Sequence, residues 1–359
     1  MRGSVRRVLV VKIRYIGDVL LCTPVFRGLR EAFPGATLTA LVARGTEEVL
    51  LHHRDVDEVL TVGRVGDGTA LWQRWGDHLR LVRRLRERRF DIAIDLTDGD
   101  RAAFLTWASG ARLRVGFNQE RRFRGHAYHH VVPTLSGMRH RLEVDLEALR
   151  TLGLPVRPVA PTLAVPSEAE AAAEQLLARK RVLRDRDLVL IHPGARWWFK
   201  AWPTERFAAL ADGIGQELGA QIMIAGGPGD VAVAEAIRRQ MRSPAIPVAG
   251  ETSILELAAV LKRCRLFVGN DNGPMHIAAA VGTPVVGLFG PTNPAEWGPW
   301  REGHVALYKG VDCRQCWWSS ACVRGDENCL RQITVDEVMN AVRSVWNGKG
   351  PDERETACR

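Results

Sequence analysis

The chain has 359 residues, 46% hydrophobic and 25% charged, which is ordinary globular composition at a length that suits two domains of about 150 residues each better than one. With no fibrous repeat, like-charge block or low-complexity tract, disorder is excluded as its organising theme. Lys and Arg number 50 against 41 Asp and Glu, a formal +9, and that balance points to an acidic partner: nucleic acid, an anionic membrane surface or a phosphorylated substrate.

The basic residues Arg2, Arg6 and Arg7 precede an apolar run that Lys12 cuts short, too short for the core of a signal peptide. No uncharged apolar stretch approaches the ~18 residues of a membrane-spanning helix. The expected location is the cytosol, where the seven cysteines stay reduced. A β-branched run at 8–13 reads as a strand, 19–33 as a helix closed by Pro34-Gly35, 37–42 as a strand, then a short helix and a strand at 59–62. A helix crowded with arginines follows at 71–88, then a strand at 91–96. Such alternation predicts βαβ units and a parallel sheet. Prolines 155, 158, 161 and 166 mark an interdomain connection. A helix at 167–181 opens a second series with strands at 188–192, 221–225, 245–248, 266–269 and 284–289, and with helices starting near Thr204, Asp230, Ser253 and Pro274. The predicted fold is α/β, two Rossmann-like doubly wound domains facing a cleft, with chemistry at the strand C-termini.

Those strand ends hold the candidates. After the first strand stands Arg14-Tyr15-Ile16-Gly17-Asp18. One glycine in place of G-x-G-x-x-G counts against a nicotinamide oxidoreductase. Asp18 reads either as a first-turn charge or as a carboxylate able to take a proton from a substrate hydroxyl. The second domain's first strand ends His192-Pro193-Gly194-Ala195-Arg196, followed by Trp197-Trp198-Phe199-Lys200-Ala201-Trp202. Small residues there admit backbone amides to a ligand, and Arg196 and Lys200 offer charge to phosphates; the alternative is aromatic packing with solvated cations. At Gly226-Gly227-Pro228-Gly229-Asp230, the acidic residue could hold ribose hydroxyls, although tight turns use glycine anyway. At Gly269-Asn270-Asp271-Asn272-Gly273-Pro274-Met275-His276, Pro274 leaves Asn272 or Gly273 as a cap that presents amides to an anion.

Asp98-Gly99-Asp100 has a metal-diphosphate spacing but also reads as a turn. Cys313, Cys316, Cys322 and Cys329 could hold a structural metal or stand as local thiols, with Trp317 and Trp318 as small core or lid. The arginines 80, 83, 84, 86, 88 and 89, and the stretch Arg121, Arg122, Arg124, His126, His129 and His130, read as solvated faces or as contacts to an anionic acceptor or membrane. No nucleic-acid module accompanies them.

The run Lys12-Ile13-Arg14-Tyr15-Ile16-Gly17-Asp18-Val19-Leu20-Leu21-Cys22-Thr23-Pro24, with His192-Pro193-Gly194-Ala195-Arg196, Phe199-Lys200-Ala201-Trp202 and Gly269 to His276, resembles the bacterial lipopolysaccharide heptosyltransferases of glycosyltransferase family 9, most of all the heptosyltransferase III branch. The resemblance implies a glycosyltransferase-B fold. Residues 1–165 would form the acceptor-side domain with the catalytic base, and 166–359 the nucleotide-sugar donor domain with its Cys-rich segment at 313–329. It implies inverting, metal-independent transfer of heptose from ADP-heptose to the lipopolysaccharide core, with no cofactor and no nucleic acid. The acceptor is lipid-anchored, so the protein would sit at the cytoplasmic face of the inner membrane, in peripheral contact with anionic lipid. Asp18 would be the base, Lys200 a diphosphate cation and Asp271 a heptose ligand, with Asn272, Gly273 and His276 on the diphosphate side, Gly194 and Arg196 nearby, and Asp230 on the ribose. Alternatives are the same fold with a different nucleotide sugar, or a non-catalytic nucleotide-sugar-binding protein.

Overall fold

The computed structural model describes residues 5–63, 71–133, 137–310, 316, 322 and 329–348. The chain divides into two compact units, Met1–Ala164 and Val165–Arg359.

In the first unit the elements run β1 (Arg7–Lys12), α1 (Ile16–Leu21), α2 (Thr23–Ala32), β2 (Thr37–Ala43), β3 (Glu58–Val62), α3 (Leu71–Glu87), β4 (Ile92–Asp95), α4 (Asp100–Ala108), β5 (Leu113–Gly116), β6 (His130–Val131) and α5 (Arg141–Thr151). The strands form one parallel sheet in the order β3-β2-β1-β4-β5-β6. Its core gathers Leu9, Val11, Leu41, Leu85, Phe90, Ala93 and Leu105. Both faces of β1 are covered, which is why it reads as an unbroken apolar run.

The second unit runs α6 (Ser167–Arg179), β7 (Leu188–His192), α7 (Thr204–Leu218), β8 (Gln221–Ile224), α8 (Val231–Gln240), β9 (Ala245–Pro247), α9 (Ile254–Arg263), β10 (Leu266–Asn270), α10 (Gly273–Ala280), β11 (Val285–Phe289), α11 (Pro294–Trp297), β12 (Val305–Tyr308) and α12 (Val335–Trp346). Its sheet order is β12-β11-β10-β7-β8-β9, again all parallel. Counted within each unit, both sheets have the order 3-2-1-4-5-6. The strand order reverses between β1 and β4 in one unit and between β7 and β10 in the other, and doubly wound sheets bind ligands beyond the strand ends at that reversal.

One expectation needs correction. The single helix over 19–33 is two helices that meet at Cys22. Pro24 lies in the first turn of α2 and has no N–H for an i→i−4 bond, and Thr23 Oγ1 donates to Leu20 O at 2.8 Å. Among the described residues no helix is long and apolar enough to cross a membrane.

Candidate active site

The reversal point of the first unit is built on a buried ion cluster. Lys12, at the end of β1 and 1% exposed, donates from Nζ to Asp145 Oδ2 at 2.6 Å and to Leu96 O at 3.0 Å. Arg141 donates to Asp145 Oδ1 at 2.5 Å and to Leu96 O at 3.1 Å. Arg14 grips Thr97 O through two nitrogens, and Thr97 Oγ1 accepts from Ile13 N at 2.9 Å. The loops after β1 and β4 are thereby tied together. Asp18 stands half-buried in the first turn of α1, its Oδ2 3.4 Å from Tyr15 N. That contact is the local turn role, and it is long enough to leave the carboxylate most of its accepting capacity. Asp18 also lies in the electrostatic field of Arg141.

Sequence reasoning assigned no role to Lys12, Arg141 or Asp145, although two signals mark them. Lys12 ends an otherwise apolar strand, and Asp145 interrupts the buried stripe of Leu142, Leu146 and Leu149 on α5. Charges in such places need partners.

Asp98 and Asp100 are engaged by Arg124, whose guanidinium reaches Asp98 Oδ1 at 2.8 Å and Asp100 Oδ1 at 3.1 Å. The two carboxylates of that spacing are thus paired with an arginine, and Arg124, only 5% exposed at its side chain, is no solvated cation.

In the second unit three loops converge. Asn272 caps α10 through Oδ1, which accepts from Met275 N at 3.2 Å. Its Nδ2 donates to Gly194 O at 2.7 Å and faces His192 Nδ1 at 3.0 Å. Burial pushes the His192 pKa down, against the opposing field of Asp230. Asn270 Nδ2 donates to Pro193 O at 2.7 Å, so both amides staple the β10 loop to the β7 loop. Asp230, after β8, accepts from Gly227 N at 2.8 Å. A Cβ on Gly194 would stand 2.5 Å from the Asp230 carboxylate, and one on Gly226 2.5 Å from Asp230 Cβ; these glycines make room for a side chain.

Asp271, buried just past β10, receives Lys200 Nζ at 2.7 Å and Thr292 Oγ1 at 2.5 Å. Gly194, Lys200, Asp230, Asp271 and Asn272 therefore share one end of the second sheet, with Gly273 opening α10 and His276 buried in its second turn. Arg196 is exposed, its guanidinium 5.6 Å from the Trp197 ring centre. The aromatics divide: Phe199 and Trp202 are buried, while Trp197 and Trp198 are exposed. Thr292 is a contact that no sequence motif announced.

Cys313, Trp317 and Trp318 lie outside the described residues. Cys316 is buried, Cys322 and Cys329 are free thiols, and burial raises Cys329 to about 11. Among the described residues no three His, Cys, Asp or Glu side chains form a group able to hold a metal ion.

Two parallel sheets of this order, each with polar loops at its reversal point, are the architecture of a glycosyltransferase of the B-type fold. The chain belongs to glycosyltransferase family 9 (heptosyltransferase), whose profile matches residues 78–321. It is similar to lipopolysaccharide heptosyltransferase 3 of Escherichia coli K12, 32% identical over 305 residues that cover 83% of this chain and 86% of the relative. Among solved structures it resembles a family 9 glycosyl transferase from Veillonella parvula (TM-score 0.82, 25% identity, 97% and 99% of the two chains). It also shares the fold of the E. coli ADP-heptose lipopolysaccharide heptosyltransferase II (TM-score 0.77, 21% identity, 96% and 99%).

Proposed function

We propose that this glycosyltransferase moves heptose from ADP-heptose to a hydroxyl of the lipopolysaccharide core oligosaccharide, with inversion at the anomeric carbon and no metal ion. The supporting observation is the polar constellation after β7, β8 and β10, where a partly buried Lys–Asp pair, a second carboxylate set over glycines and a capped helix N-terminus meet. Membership of the family and the heptosyltransferase names of the relatives support the donor.

In this reading the second unit binds the donor. Asp230 holds ribose hydroxyls and Asp271 the heptose. Lys200 and the amides at Gly273 meet the charge that develops on the departing diphosphate, with Asn272 and His276 on the same side and Gly194 and Arg196 beside it. Lys200 is already paired with Asp271, so it is positioned before donor arrives and need only share its remaining protons with phosphate. The first unit takes the acceptor. Asp18 accepts the proton of the attacking hydroxyl, whose oxygen bonds to the anomeric carbon as the carbon–oxygen bond to ADP breaks. The +9 charge supports peripheral contact with the anionic lipid surface that anchors the acceptor, at the cytoplasmic face of the inner membrane.

The test is a split between two variants. Asp18→Asn lowers transfer by about a hundredfold or more while ADP binding stays within a few-fold, because a base acts in the transition state. Lys200→Ala weakens ADP binding and slows transfer together. If Asp18→Asn loses binding and turnover in equal measure, Asp18 is not the base.

A further inference from the structure

The first unit carries an aromatic-walled pocket of about 670 Å³ open to solvent, whose aromatic walls have been given no role above. Its walls are Ala103, Phe104 and Trp107 of α4, and Phe123 and Ala127 of the 3-10 helix Phe123–Ala127. Phe104 is 50%, Trp107 52% and Phe123 86% exposed. Three large aromatics left in water around one hollow cost hydrophobic free energy unless something covers them.

Charge identifies the cover. Met1–Ala164 holds 27 Lys and Arg against 18 Asp and Glu, whereas Val165–Arg359 holds 23 of each, so the entire excess of +9 belongs to the unit that carries this pocket. The acids nearest the pocket are already engaged: Asp98, Asp100 and Glu120 by Arg124, and Glu120 also by Arg122. Among the described residues Arg84, Arg86, Arg89 and Arg121 form no ion pair. Arg121 adjoins the pocket in sequence, and Arg86 donates to Ala108 O at the end of α4, one residue past Trp107. Exposed His126 completes the rim, its ring 4.9 Å from that of Phe123. Aromatic side chains in the unit that carries the whole cationic excess, with unpaired Arg121 next to the pocket in sequence and Arg86 at the end of α4, suit a surface that is apolar within and anionic at its edge.

We propose that this patch is where the protein docks on an anionic bilayer, with Phe104, Trp107 and Phe123 entering the interfacial layer and the arginines lying against lipid phosphates. The inference rests on the membrane contact of the proposed function and assigns it to named residues.

Sedimentation of the full chain with vesicles of phosphatidylglycerol and phosphatidylethanolamine, against phosphatidylcholine vesicles, tests it. The wild type binds the anionic vesicles. The triple variant Phe104→Ser, Trp107→Ser, Phe123→Ser binds at least about tenfold more weakly with an unchanged melting temperature, and Arg121→Ala loses about fivefold at low salt. If the triple variant fails to fold, Phe123→Ser alone carries the test, with a few-fold loss expected. A folded variant that binds like the wild type overturns the proposal and leaves the membrane contact to another surface. A wild type that ignores anionic vesicles overturns both. Transfer to a delipidated core acceptor is unchanged in the triple variant; a fall there would make the pocket an acceptor-sugar site and overturn the bilayer assignment.

Discussion

At the scale of single residues, the loops after β7 and β8 are governed by how closely groups approach. Gly194 does not adopt a left-handed backbone, so what it supplies is space: its missing side chain is where the Asp230 carboxylate sits. Gly194→Ala therefore pushes that carboxylate off Gly227 N. The expected result is a melting temperature lower by about 2–4 °C, as a loss near 1 kcal/mol gives at this size, and ADP affinity about tenfold weaker by calorimetry. Unchanged affinity would take Asp230 out of the donor site.

A second residue-scale effect concerns Asp95. It accepts from Tyr128 OH at 2.6 Å and Thr97 N at 2.7 Å, yet burial still pushes it up to about 6. The native state thus keeps a proton that the unfolded chain releases near the ordinary aspartate value of 3.8. The resulting stability is complete below 3.8 and is lost as pH rises through 6. Asp95→Asn cannot ionise, so denaturation of both proteins between about pH 4 and 7 shows the wild type losing stability relative to the variant as pH rises. Parallel curves would mean that Asp95 titrates normally.

At the scale of elements, α5 is tied to β1 by charge as well as by its apolar stripe. Asp145 is fully buried between Lys12 and Arg141, and removing one member of such a cluster leaves its partners desolvated and unpaired. Asp145→Asn costs about 3–5 kcal/mol by chemical denaturation; a loss under about 1 kcal/mol would show that the cations find water instead. Strand legibility follows the same physics. β1, β7 and β10 are buried on both faces and their apolar runs give their positions away, down to the ends that bear the motifs. β5 and the edge strand β6 are four and two residues long, too short for a period to emerge. Neither face of α4 is cleanly apolar, since Phe104 and Trp107 are exposed while Ala103 and Leu105 are buried. The strand reading stops at 289, but β12 and α12 complete the second unit, and Thr334 with Glu337 makes the capping box that marks α12. Asp271 and Lys200 were individually legible as polar loop residues. Their ion pair was not, because it joins positions 71 apart through a strand order that only the fold supplies.

At the scale of the molecule, the two units repeat one topology and differ in charge. The first holds the whole cationic excess, and the second, with equal acids and bases, concentrates its polar chemistry at one sheet end. That division is what a transferase needs if one half faces an anionic, lipid-bound acceptor and the other selects a small donor. The central claim is transfer of heptose from ADP-heptose without a metal. The most direct measurement is ADP release and acceptor mass after incubating the protein with ADP-heptose and core oligosaccharide, with and without EDTA. The account predicts one ADP for each acceptor that gains one heptose, at a rate EDTA does not change. ADP release without a heavier acceptor, or transfer that EDTA abolishes and a divalent cation restores, would contradict it.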